Sequence, residues 1–499
     1  MLKFSMENGL TAAELFSQPY GWTFDDINLL PVFNPGVTKS EVSLQTRFGS
    51  LWLNLPLVSS PMDTVTEAAA AIEFALQGGL GFIHMNLPVE KATAEVRRVK
   101  RYQMGIVNEP VCRPPTASIR EMAAVKKQHG FSTLLITADG TNNSPLLGMV
   151  TKGHAALESN PDRPLGEIMI PRRDLIVGEA EKISTWKAAL EFLRSNPVVH
   201  KLPLLRSNGC VAGFITRKDV VKMANCPHAF IDMNNGQLRV GAAVSTHERD
   251  NERVQALLDA KVDVLLIDSA QGATLHAVQR IEQIRSLSEK VVIVAGSVVT
   301  PAQAEPLLKA GADVLRDGMG SGSICITQDV IGTGRSQLSA IYHVSQRTKN
   351  AVIADGGIRT SGDIIKALAC GASCVMLGRM IAGCDETPAR VETHRGLRYK
   401  RYRGMGSQAA LEQGGLLRYS SELSHSGMVV QGVEGLVPAE GSLAPLLSRQ
   451  AEAIKTGLEY LGCGSIAELH QKTKDGLIRF ELRSPSARIE GKPHDIVEM

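Results

Sequence analysis

Residues 291–316 read VVIVAGSVVTPAQAEPLLKAGADVLR. An apolar, β-branched run at 291–295 gives way to small residues. A helical candidate occupies 301–311, and its Ala/Gly-rich end leads directly into a second apolar run at 313–316. Period, length and punctuation together describe a strand, a crossover helix and the next strand of a parallel sheet. Residues 351–377, AVIADGGIRTSGDIIKALACGASCVML, repeat the unit, with runs at 351–355 and 373–377 around a helical candidate at 361–371.

Four more runs, 55–59 (LPLVS), 80–84 (LGFIH), 240–244 (VGAAV) and 264–268 (VLLID), bring the total to eight, with further helical candidates at 66–78, 91–103 and 251–260. Eight strands alternating with helices predict an α/β fold, a (β/α)8 TIM barrel. A doubly wound open sheet has the same strand count. The barrel is preferred because the chemically suggestive loops all follow strand ends, where barrel enzymes build their sites.

The interval between the second and third runs is too long for one helix and loop. Within it, LLITADGTNNSPLLGMVTKGHAAL (134–157) and LPLLRSNGCVAGFITRKDVVK (202–222) each read as strand, turn, strand and helix. This two-copy repeat resembles a tandem CBS (Bateman) module, a fold that often senses adenine or guanine nucleotides. The expected division is a first barrel part at 1–111, an inserted tandem CBS regulatory domain at 112–229, and a second barrel part at 230–499. In the last, the Gly-, Ser- and charge-rich stretch at about 395–438 is expected to be a mobile flap, as structureless stretches of that length often are.

Bulk properties narrow the function. The 54 basic and 51 acidic residues leave a formal charge of +3, which gives little drive toward nucleic acid. No apolar stretch approaches the roughly 20 residues of a membrane span. The beginning, MLKFSMENGL, lacks a secretory apolar core and the end, DIVEM, is not an SKL-type tripeptide, so a cytoplasmic protein is expected. Eight cysteines occur without a CxxC pair, which indicates neither structural zinc nor a disulfide framework.

One cysteine has special surroundings. In RDGMGSGSICIT (316–327), Gly318, Gly320 and Gly322 let the main chain approach a ligand or ion closely, and Cys325 follows on the same loop, where a thiol is placed to act as a nucleophile. After the seventh run, Asp355 precedes Gly356 and Gly357; after the eighth, Gly378 precedes Arg379. These are the loops where barrels commonly bind phosphate, and Asp355 is placed to accept both hydroxyls of a ribose. SSPMDTVTE (59–67) and IDSAQG (267–272) add small polar groups to the rim, with Asp268 a group able to orient a dinucleotide's ribose or simply to cap a helix. Arg418 and Tyr419 lie in the expected flap.

Taken together, RDGMGSGSICITQD, ADGGI, YRGMGS, SSPMDTVTE and LRY resemble the inosine-monophosphate dehydrogenase family, in order and across essentially the whole chain. The resemblance implies that Cys325 adds to carbon 2 of IMP, that hydride passes to NAD, and that water activated by Arg418 with Tyr419 hydrolyses the thioimidate to XMP, with Thr327 positioning that water. An arginine base demands a site that favours its neutral form. The implied substrate residues are Ser60 and Met62; Ser323, Gly357 and Gly378 for phosphate, with Arg379 as an added contact; Asp355 for ribose; and Tyr402, Gly404, Met405, Gly406 and Gln431 toward the base. Asp268, Ser269, Gly318 and Gly320 are implied to meet the cofactor. Potassium would sit on carbonyls of Gly320, Gly322 and Cys325, completed by Glu490, Gly491 and Lys492 of a neighbouring subunit, which implies a homotetramer or an octamer built from it.

The chain departs from that pattern at Ser297, where the family usually has Asn, at Asp317 in place of an apolar residue, at Ala270 in place of Ser, and at Arg379 in place of Ser. These changes point to altered cofactor preference or weakened dehydrogenase activity. The rival reading is guanosine-monophosphate reductase, which uses NADPH; GRSQLSA (334–340) is somewhat reductase-like, whereas Arg418–Tyr419, YRGMGS and Gln431, where a reductase is expected to carry Glu, favour the dehydrogenase. A third reading is a catalytically weak relative that acts through its insert.

Overall fold

Val292–Val298 is buried at every position, as befits a strand flanked by two others and covered on its outer side by helices. It belongs to a computed structural model that describes residues 9–102, 104–108, 110–129, 133–415, 418 and 429–493. The chain divides into two compact units, Met1–Val96 with Val240–Met499, and Arg97–Arg239.

The first unit is a barrel of eight parallel strands: β1 (Leu57–Ser59), β2 (Phe82–Ile83), β3 (Gly241–Val244), β4 (Val264–Asp268), β5 (Val292–Val298), β6 (Val314–Asp317), β7 (Ala351–Asp355) and β8 (Cys374–Leu377). Neighbours run β1-β8-β7-β6-β5-β4-β3-β2. The ring closes where Val58 pairs in parallel with Leu80 and the Ser59 amide donates to the Leu80 carbonyl at 3.0 Å. All eight expected runs are strands of this one sheet.

The two repeating units named first are built with the same local devices. Thr300 caps the helix Pro301–Lys309 through the Gln303 amide, with proline at the helix start. Thr360 and Asp363 form a capping box on Ser361–Ala369. Gly311 and Gly371, at φ +108° and +106°, reverse the chain from each helix into the next strand, a conformation that costs other residues a Cβ clash.

After β8 the chain departs from the expected flap. Val391–His394 (β9), Leu397–Arg403 (β10) and Glu434–Pro438 (β11) form an antiparallel sheet, so both ends of the 395–438 segment are ladder rather than loop. The alternation in LRYKRYR, with Lys400 and Tyr402 buried and the residues on either side of them more exposed, is the period of two that marks a strand.

The second unit carries two four-stranded sheets, with an antiparallel hairpin in each: Thr133–Thr137 with Leu146–Thr151, and Lys201–Leu205 with Val211–Thr216. Helices Lys152–Ala156 and Arg217–Asn225 follow them, so the hairpin-then-helix repeat is present in both copies. The unit is wider than 112–229 because Ile106–Val107 pairs with Phe214 and Ile215, which ties residues ahead of Cys112 into its second sheet. Among the described residues, no helix is long and apolar enough to cross a membrane.

Candidate active site

The C-terminal ends of β1 and β6–β8, with the loops that follow them, line one cleft of about 450 Å³. Ser60, Met62, Ser323, Cys325, Thr327, Asp355, Gly357, Gly378, Arg379, Tyr402, Gly404, Met405, Gly406, Arg418 and Gln431 all face it, as do Gly318, Gly320 and Gly322. The loops drawn from six separate stretches of sequence therefore converge. The convergence requires glycine at defined points: a Cβ on Gly318 would lie 1.9 Å from the Asp355 carbonyl, and Gly356 and Gly357 adopt φ of +98° and +76°.

Cys325 is partly exposed to the cleft, with its Sγ 3.0 Å from Thr327 Oγ1; that hydroxyl in turn donates to Gln431 Oε1 at 3.2 Å. The loop holding the thiol is stitched to the chain returning from the 404–433 excursion. Cys325 bridges Gly432, the Ile326 amide donates to the Gln431 carbonyl at 3.0 Å, and the Val433 amide to the Ile324 carbonyl at 2.9 Å. Nearby, Tyr402 is buried at the cleft wall; burial pushes its phenol up to about 12, opposed by a hydrogen bond with Ser323.

A line of charges crosses the cleft floor. Arg316, at the inner face of β6, is almost wholly buried and its Nε and Nη2 donate to Asp355 Oδ2 at 2.8 and 2.7 Å. Its Nη1 donates to Asp268 Oδ1, and Arg418 Nε lies 3.2 Å from the same oxygen. Burial works against the Arg316 charge, but Asp355 and Asp268 outweigh it and the guanidinium stays firmly protonated. Asp268 is thus an ion-pair hub rather than a helix cap, and Asp355 shares its carboxylate with an arginine. Sequence reading had counted Arg316 only as the end of an apolar run; the signal was a lone guanidinium inside DVLR, with carboxylates ending two neighbouring runs. A second pair went unread: Arg403 grips Asp63 through Nε to Oδ1 at 3.0 Å and Nη2 to Oδ2 at 2.6 Å, clasping YRGMGS onto the first strand loop.

Asp317 follows Arg316 on β6. It is fully buried, and neither carboxyl oxygen has a partner among the described residues. Burial pushes the carboxyl well above its usual range, opposed by the Arg335 charge and reinforced by that of Asp355. The folded chain then keeps a proton that the unfolded chain has released above the ordinary carboxylate range, so stability falls as pH rises through that window. Asp317→Val is expected to be more stable by about 1–3 kcal/mol near neutral pH. Its advantage over the parent should widen in denaturant melts as pH rises above the ordinary carboxylate range; a pH-independent difference would contradict the assignment.

Other expected positions are placed less fully. Asp268 and Ser269 end β4 at the rim, where the Ser269 hydroxyl donates to the Gln271 carbonyl at 2.8 Å. Ala270 and Ser297 face the cleft. The carbonyls of Gly320 and Gly322 already accept from Gln328 Nε2 and the Cys325 amide, both at 3.0 Å, each leaving a second lone pair. Glu490 ends the helix Pro485–Glu490, with Gly491 and Lys492 just beyond it. No cluster of three or more His, Cys, Asp or Glu able to hold a metal occurs among the described residues. Tyr419 lies outside the described residues.

A family model described as IMP dehydrogenase / GMP reductase domain matches residues 21–494. Inosine-5'-monophosphate dehydrogenase of Trypanosoma brucei brucei is 39% identical, over 99% of this chain and 96% of its own. That of Schizosaccharomyces pombe is 38% identical over 98% and 95%. Among solved structures, a cysteine-to-alanine GMP reductase from Trypanosoma brucei in complex with guanosine 5'-monophosphate has a TM-score of 0.75 and 32% identity, covering 97% of this chain and 100% of that one.

Proposed function

Because the chain belongs to the IMP dehydrogenase / GMP reductase family, we propose that it oxidises IMP to XMP, with NAD as hydride acceptor, through a covalent intermediate on Cys325. The Cys325 sulfur adds to carbon 2 of the base. Bound nicotinamide supplies the acceptor for the hydride that leaves this carbon, and a thioimidate remains on the enzyme. Water then attacks the same carbon and gives its proton toward Arg418, and the carbon–sulfur bond breaks to regenerate the thiol.

The observation that carries this reading is the Cys325–Thr327–Gln431 line. A threonine hydroxyl has one proton, so when it donates to Gln431 the thiol must donate to it. With the Gln431 amide turned to donate instead, the same hydroxyl stabilises a thiolate. An amide does this without supplying a proton of its own. A reductase that expels ammonia needs an acid at this point, and Gln431 is not one.

The remaining residues fit the two bound groups by chemistry. Asp268 Oδ2 is a buried acceptor without a partner among the described residues, suited to a ribose hydroxyl of the dinucleotide, and Ser269, Gly318 and Gly320 would add to the cofactor's contacts. Gly320, Gly322 and Cys325 offer carbonyl oxygens alone, a donor set for potassium rather than for a transition metal, and Glu490, Gly491 and Lys492 of a second copy would complete it in a homotetramer. Tyr419 would join Arg418 in activating water. The 97–239 unit, with its doubled hairpin and helix, is read as a tandem CBS module for regulatory adenine or guanine nucleotides, and the cytoplasm as the setting.

Nicotinamide absorbance tests the choice. IMP with NAD should give NADH, whereas GMP with NADPH should show no consumption; the reverse result overturns the reading in favour of a reductase. Gln431→Glu should lower kcat with IMP about tenfold, because a carboxylate there disfavours the neighbouring thiolate. Unchanged turnover would remove the role given to the amide.

A further inference from the structure

Lys400, on β10, is only 2% exposed, and its hydrogen-bond partners are carbonyl oxygens rather than carboxylates. Its Nζ donates to the carbonyls of Cys384 at 2.6 Å, Thr387 at 2.9 Å and Asp385 at 3.4 Å. An ammonium has three N–H groups and no acceptor, so these three carbonyls use it fully. Without it they would be left in a buried place with partners missing, which is costly.

The turn that ends at these carbonyls begins in the cleft. Gly378 follows β8; the Ile381 amide donates to the Gly378 carbonyl at 3.2 Å, the Cys384 amide to the Ile381 carbonyl at 3.0 Å, and the Thr387 amide to the Cys384 carbonyl at 3.3 Å. Ile381 and Cys384 are wholly buried, so the turn passes a displacement on rather than absorbing it. Two residues further along β10, on the same face, Tyr402 returns to the start of that turn. A Cβ on Gly378 would sit 3.0 Å from the Tyr402 hydroxyl, which also meets Ser323. One strand face therefore grips one turn at both ends, with Tyr402 lining the cleft and the ammonium behind it.

Resting on the nucleotide reading above, we propose that Lys400 is a positioning residue for the substrate: it fixes β10 on the turn after β8, and so the place of Tyr402 in the cleft, without touching the nucleotide. The Cys325 loop is held separately, by main-chain bonds to Gln431 and Val433. Lys400 accordingly acts on affinity and leaves the chemical step alone.

Steady-state kinetics of the full chain, with IMP varied at saturating NAD, test this. Lys400→Met keeps the bulk and loses the ammonium, whereas Lys400→Ala leaves a cavity that n-propylammonium can fill. Both should raise KM for IMP about tenfold with kcat within about twofold of the parent. The added amine should restore most of the lost affinity of Lys400→Ala, and should change neither the parent nor Lys400→Met. The proposal is overturned if Lys400→Met keeps the parent's KM, if kcat falls by more than about twofold, as a partly unfolded population would give, or if the amine fails to rescue Lys400→Ala. A Lys400→Met chain whose barrel shows no urea transition overturns it as well, because the residue would then serve the fold alone. A parent that does not turn over IMP removes the nucleotide reading instead, a result distinct from all of these.

Discussion

Cys325→Ala turns over IMP at least about ten-thousand-fold more slowly than the parent, because no other group in the cleft can replace the covalent step and what remains is binding alone. The thiol is partly exposed, and its loop is held by main-chain bonds from Ile324, Cys325 and Ile326. Truncation to alanine should therefore leave the fold intact, with stability within about 0.5 kcal/mol of the parent. Titration should still show IMP bound, since the residues proposed for the ribose, and all but Ser323 of those proposed for the phosphate, lie on other loops. Stopped-flow with the parent should show a burst of NADH before steady state if hydrolysis is slower than hydride transfer; the alanine variant should show none. Turnover retained within a factor of about ten would mean that Cys325 is not the nucleophile.

Arg316→Met carries the largest expected loss of stability. The guanidinium is buried and pairs with the fully buried Asp268 as well as with the half-buried Asp355, and removing one partner of such a buried pair costs about 3–5 kcal/mol because Asp268 is left buried with less counter-charge. The barrel's unfolding transition in urea, read apart from that of the 97–239 unit, should shift accordingly. A companion Arg316→Met, Asp268→Asn double variant should recover part of the loss, since it removes one stranded charge. Equal stability of Arg316→Met and the parent would show that the network is dispensable. Turnover should fall as well, because Asp355, proposed to hold the ribose, would lose the group that fixes its carboxylate.

Much of this was legible in the sequence, for a physical reason. Parallel strands buried on both faces must be continuous apolar runs, so β3 to β8 announce themselves, and the glycines after Asp317, Asp355 and Leu377 mark where main chain must come close to a ligand. Individual residues of the cleft, from Ser60 to Gln431, could be named because each sits next to such a mark. What could not be read is pairing across the fold. Nothing local in DVLR says that Arg316 meets Asp268 and Asp355, which are 48 and 39 residues away. The Asp63–Arg403 clasp spans 340 residues. The segment at 395–438 was taken for loop because its glycines and charges hide a short period-two pattern, and a three-stranded sheet needs only a few residues per strand to form.

The stitching between the Cys325 loop and residues 431–433, with the Gln431 amide also bonded to the Gly406 carbonyl, pins both roots of the intervening excursion to the nucleophile's own support. Insertions between 407 and 430 that leave Arg418 beside Asp268 should accordingly cost the fold little, since doubling a loop's length adds only about 0.6 kcal/mol of closure cost. Such a change should alter turnover far more than it alters the position of the sulfur, whose loop is fixed by these main-chain bonds.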